Sequence, residues 1–102
     1  RMTLAVDCIR NDDWEAASIL WKDEFEKGFG RSIYRAAMNM MIYYQYLDKP
    51  EEALEWANRA RIAMEKTFNY YVRDSLMLDS NIEYIQQRQE ELSWLKAENS
   101  DL

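Results

Sequence analysis

Asp13-Trp14-Glu15-Ala16-Ala17 and Pro50-Glu51-Glu52-Ala53 decide the fold of this chain, because Ala17 and Ala53 stand 36 positions apart at equivalent places. Each run opens a helix. Upstream, Leu4, Ala5 and Cys8 fall opposite Met40, Met41 and Tyr44 at the same offset. A fixed period of this length marks a repeat of paired helices, whose units stack because none can bury its apolar face alone. The pattern points toward a binding scaffold and away from an enzyme.

The 102 residues suffice for one domain with a packed core. Apolar residues make up 48% of the chain, with only two glycines and one proline, which suits an ordered helical protein. The net charge of −6 argues against nucleic acid or an anionic membrane surface as partner. The segment from Glu83 to Leu102 is the most acidic part and reads as a solvated helix face. Cys8 is the only cysteine, so an intrachain disulfide is excluded and the redox compartment stays open. Without histidine, the commonest zinc ligand and neutral-pH base is missing. No cofactor or metal is expected. The chain shows no signal peptide, and no apolar run approaches membrane-spanning length. It opens on Arg1 in the middle of a helical pattern, so a fragment of a longer protein is expected.

The spacing predicts five helical segments. The first, about Met2 to Arg10, ends at Asn11-Asp12-Asp13, where Asp12 or Asp13 caps the second. The second runs to about Lys27, with Trp14, Ala17, Leu20, Trp21 and Phe25 on one face. Gly28-Phe29-Gly30 ends it, with glycine suited to a left-handed helix terminus. The third runs from about Ser32 to Leu47, carrying Ile33, Ala36, Ala37, Met40, Met41, Tyr44 and Leu47 in a stripe wide enough for burial on two sides. Pro50 takes a first helical position, where its missing amide costs nothing, and Glu51 and Glu52 follow at the positive end of the fourth helix. Glu55 and Arg59 are ordered for a four-residue ion pair of about 0.3–0.5 kcal/mol.

From Asn69 to Glu98 there is neither proline nor glycine. Tyr71, Ser75, Leu78, Ile82, Ile85, Gln89 and Leu92 alternate steps of four and three, which predicts one long helix with a seam. The alternative is a break at Ser80-Asn81-Ile82-Glu83, a candidate capping box. A third full unit would need a small residue near Gln89, and none is there. The expected architecture is all-α: one repeat domain over 1–102, with a truncated first unit (1–28), a second unit (31–66) and a terminal helix (69–98).

These residues resemble the tetratricopeptide repeat. Met40, Met41 and Tyr44 stand for the series of its first helix, and Ala53, Ala57 and Ala60 for the small residues of its second. Leu4, Ala5, Cys8, Ala17 and Trp21 match in the earlier copy. Met41 departs from the family's small residue, implying a wider helix pair or a displaced neighbour. Asp48-Lys49-Pro50 stands where glycine-aspartate-aromatic is common. The resemblance implies a right-handed stack of antiparallel helix pairs with a long terminal capping helix. Arg10 to Ala17, Leu20-Trp21-Lys22, Arg35 to Met40 and Glu52 to Ala57 also resemble an uncharacterised Bacteroidetes lipoprotein family, over residues from about 10 to 95. That resemblance implies a parent protein lipid-anchored on the periplasmic side. Localisation is otherwise undetermined.

Catalysis is not expected, since the carboxylates sit among charged neighbours rather than in a desolvated cleft. Asp12, Asp13 and Glu15 are explained by a helix start, and Cys8 by an inert place on an apolar stripe. A partner-binding surface is expected on the free face of the third helix at Arg35, Met38, Asn39, Ile42 and Tyr46. There, Arg35 and Asn39 are spaced to hold a peptide carboxylate or backbone, against the alternative of a surface ion pair and a satisfied loop. Tyr43, Tyr46, Trp56, Tyr70 and Trp94 are too many aromatics for so small a core, and Trp94 is the candidate for a contact beyond the chain. Two functions follow: a scaffold binding a protein, a peptide or the missing part of its own parent, or a self-associating homodimeric end piece.

Overall fold

The structure, a computed structural model, describes residues 13–100, with side chains through residue 98. Every regular element among them is an α-helix: α1 (Trp14–Lys27), α2 (Arg31–Tyr46), α3 (Pro50–Glu65) and α4 (Val72–Ser100). The helix expected over Met2 to Arg10, with Leu4, Ala5 and Cys8, lies outside the described residues, as does Asp12.

Asp13 caps α1, its carboxylate accepting the Ala16 amide at 3.0 Å. Ala17 and Trp21 of the anticipated face are buried, with Trp14, Leu20 and Phe25 packed against them. The terminus departs from expectation. Gly28 is extended (φ −77°, ψ −176°), and its amide donates to the Glu24 carbonyl at 2.7 Å. A Cβ there would lie 2.5 Å from that carbonyl oxygen, so close approach, not handedness, demands glycine. The positive φ (+56°) falls at Gly30, where the chain turns into α2.

α2 packs between α1 and α3. Trp14, at the start of α1, stacks on Tyr46, at the end of α2, with centroids 5.2 Å apart, so these helices are antiparallel. Ala36, Ala37, Met40 and Met41 are buried as the stripe predicts, Ile33 and Tyr44 are half-buried, and Leu47 is exposed in the turn. Tyr34 was not in the expected stripe and is completely buried. Met41 is completely buried in the core that also holds Ala53, Ala57 and Ala60.

The α2–α3 turn is a Schellman motif. The Asp48 amide donates to the Gln45 carbonyl (3.0 Å) and the Lys49 amide to that of Tyr44 (2.9 Å), with Asp48 at φ +56° and Pro50 opening α3. Glycine is the usual residue there, and a negative charge opposes the α2 dipole. Asp48 is held by a bidentate pair instead: Arg88 Nε and Nη2 each donate to its carboxylate at 2.9 Å. The Arg88 hydrogen bond holds the Asp48 carboxyl below its usual range and raises the guanidinium further still. A carboxyl depressed in the fold stabilises it above the unfolded value and ceases to do so as pH falls through the folded one. Asp48→Asn tolerates the same backbone but removes the charge. Its melting temperature is expected to lie below that of the natural protein at pH 7, and the gap to close as pH drops below about 4. A gap independent of pH in thermal melts would sink this account.

α2 and α4 run parallel. Arg31 donates to the Tyr71 hydroxyl, Tyr34 to the Asp74 carboxylate and Arg88 to that of Asp48, each pair separated by 40 positions. α3 runs back between them, with Arg61 reaching Asp79 and Ser75 of α4. Leu78 and Ile85 of the expected seam are buried against this body, Ser75, Ile82, Gln89 and Leu92 are half-buried, and Tyr71, its first member, is exposed. The seam is thus already occupied within the chain.

No break occurs at Ser80. Asn81 donates to the Met77 carbonyl (2.8 Å) and accepts from Gln45 (2.9 Å), so its side chain serves the helix wall rather than a cap. Arg88 of α4 lies beside the Asp48 turn. There α4 stays helical and grips that turn. The 29 residues of α4 exceed the 16 of α2 and of α3. Residues 93–98 are all exposed on the projecting end.

Candidate functional site

The free arc of α2 carries Arg35, Asn39, Ile42 and Tyr46, spaced so that they share one side of the helix. Arg35, Ile42 and Tyr46 are exposed and Asn39 is half-buried. Met38 departs from the expected surface: it is 6% exposed and belongs to the core. One position of rotation explains the difference, since Met38 turns toward the side occupied by Tyr34 and α4. Tyr46 offers only part of its ring, the rest being stacked on Trp14. Of the other aromatics, Trp56 is buried, Tyr43 half-buried and Tyr70 exposed.

The structure adds cations to this face. The Arg31 guanidinium lies 4.1 Å over the Tyr71 ring and Arg73 approaches the same ring at 5.4 Å. Arg31, Arg35 and Arg73 make no ion pair among the described residues. They gather at the amino-terminal ends of two parallel helices, where the dipoles add positive potential. The sequence alone hides this group, because Arg31 and Tyr71 are 40 residues apart.

Beneath the cations lies a polar pin. Tyr34 Oη donates to Asp74 Oδ2 at 2.5 Å and accepts the Tyr71 amide at 3.3 Å. Burial, then the Asp74 hydrogen bond, pushes the Tyr34 hydroxyl above its ordinary pKa. Both side chains are buried in the helix interface, so the pair joins α2 to α4 and does not open onto a cleft. The Trp21 indole N–H is buried and has no acceptor among the described residues.

A second surface went unanticipated. An apolar groove of about 470 Å³ lies where the ends of α1 and α3 meet the start of α2. Phe25, Ile33 and Ile62 line it, Phe68 stands fully exposed beside them, and Arg59 and Lys66 border it. No acidic side chain lines it. Arg59 lies 4.5 Å over the Trp56 ring and pairs with Glu55 at 2.6 Å. The only hint in the sequence is Phe68, an aromatic outside every helical stripe.

Trp94 is 69% exposed on the projecting end of α4. Among the described residues, no three His, Cys, Asp or Glu side chains converge as metal ligands. No helix among them is long and apolar enough to cross a membrane.

No curated protein and no solved structure matches the sequence. A family model does, over residues 3–97, and so spans α1, α2, α3 and nearly all of α4. The chain belongs to the family described as a domain of unknown function, DUF6340.

Proposed function

We propose that the domain is a protein-interaction module without catalytic activity of its own, built as a tetratricopeptide-like right-handed stack. It takes a peptide, or a segment of its parent protein, along the free face of α2. The observation that carries this reading is the open arc of Arg35, Asn39 and Ile42, with Arg31 and Arg73 beside it. Three guanidiniums without ion pairs among the described residues favour a ligand with carboxylates, held by charge-assisted hydrogen bonds. Ile42 and Tyr46 supply an apolar contact. The parallel register of α2 and α4 supports the stacked architecture, since first helices of successive units run this way in such arrays. The lipoprotein resemblance adds that the parent protein is held at the periplasmic side of the cell envelope.

Peptides selected on the immobilised domain from a random library test the reading. Selection is expected to enrich acidic sequences. Arg35→Ala with Asn39→Ala is expected to weaken their binding at least tenfold by calorimetry, each lost hydrogen bond to charge being worth about 1.5–3 kcal/mol. Equal affinity for the double variant would dispose of this face.

The alternative reading is a self-associating end piece. The exposed apolar side chains Leu76, Met77, Tyr84, Trp94 and Leu95 along α4 favour it.

A further inference from the structure

The groove and the projecting end of α4 are complementary in pattern. On α3, Arg59, Ile62 and Lys66 recur at steps of three and four, so one face reads cation, apolar, cation. On α4, Glu90, Trp94 and Glu98 recur at steps of four, so one face reads acid, aromatic, acid. At 1.5 Å per residue the outer charges are separated by about 10 Å on α3 and about 12 Å on α4. Ile62, Lys66, Phe68, Glu90, Trp94 and Glu98 are all exposed, and Arg59 is half-buried. No acid lines the groove, and of its two bordering cations Arg59 already pairs with Glu55 while Lys66 makes no ion pair among the described residues.

The two surfaces do not meet within one molecule. The groove is formed in part by Lys66 to Asn69, just before α4 begins, whereas Trp94 lies 22 residues along α4 and therefore about 33 Å away. We infer that the groove receives the projecting α4 end of a second copy, Trp94 entering the apolar floor while Glu90 and Glu98 face Arg59 and Lys66. Such a contact is head-to-tail. It joins two different patches, so its symmetry leaves one groove and one α4 end free in each dimer, and assembly continues unless a ring closes. This contact uses neither Arg35 nor Asn39 and stands apart from the peptide face of α2.

Sedimentation from about 10 μM to 1 mM tests it, because one helix end in one groove gives a weak contact. The natural protein is expected to grow past dimer mass with concentration. Trp94→Ala and Ile62→Glu alter exposed positions, so circular dichroism should show both folded. Each alone is expected to weaken association at least about tenfold, as removal of an interface anchor does. Mixed, they are expected to form a one-to-one pair, since the first keeps its groove and the second keeps its helix end. A monomer at every concentration overturns the inference. So does a closed dimer sensitive to Trp94→Ala but not to Ile62→Glu, which would mean α4 pairing with α4. Failure of the mixture to associate overturns it equally.

Discussion

Leu78→Ala is expected to cost about 2–5 kcal/mol of stability, the range for truncating a completely buried leucine. Leu78 has no exposed surface and belongs to the core shared with the other three helices. Only one other α4 apolar residue, Ile85, is buried to that degree among the described residues. Removing three carbons there leaves a cavity that a straight helix cannot collapse to fill, because α4 is also pinned to α2 at Asp74, Asn81 and Arg88. Leu76→Ala, two residues away but 62% exposed, is the control and should change stability by no more than about 0.5 kcal/mol. Urea titrations followed by circular dichroism decide the matter. Equal effects from the two substitutions would mean that α4 is not docked through this face.

Tyr34→Phe is expected to cost about 1.5–3 kcal/mol, since it removes the hydroxyl that donates to a buried carboxylate and leaves Asp74 without that partner. The ring remains, so packing is largely kept and the loss reports the polar contact. Because the Tyr34 pKa is raised in the fold, its contribution is fully present below the ordinary tyrosine value near 10.0 and is lost as pH climbs through the folded one. Denaturation midpoints of the natural protein should therefore fall more steeply above about pH 10 than those of Tyr34→Phe. Parallel curves would show that the hydroxyl is not what the interface holds.

The helices were legible because their determinants are local. Asp13 before Trp14, Pro50 before two glutamates, and apolar steps of three and four act within one or two turns. The packed face of α4 was legible for the same reason from Ser75 to Leu92, while Tyr71, the first residue of the expected seam, is exposed. The free arc of α2 was readable except at Met38, where periodicity places a residue only to within a position of the boundary between faces. Tyr34 was missed because its burial depends on Asp74, and no local rule says that a hydroxyl will find a carboxylate 40 residues away. The groove was missed because three helix ends build it, and Gly28 was misread because its constraint comes from the Glu24 carbonyl rather than from its own φ.

By itself the sequence determined where the four described helices lie and which side of each is apolar, since hydrophobic spacing and capping are short-range effects. Tertiary structure alone decided how α2 and α4 lie side by side, with side-chain contacts between residues 36 to 40 positions apart. Arg88 of α4 grips the turn between α2 and α3. That pairing required two distant segments to be brought side by side.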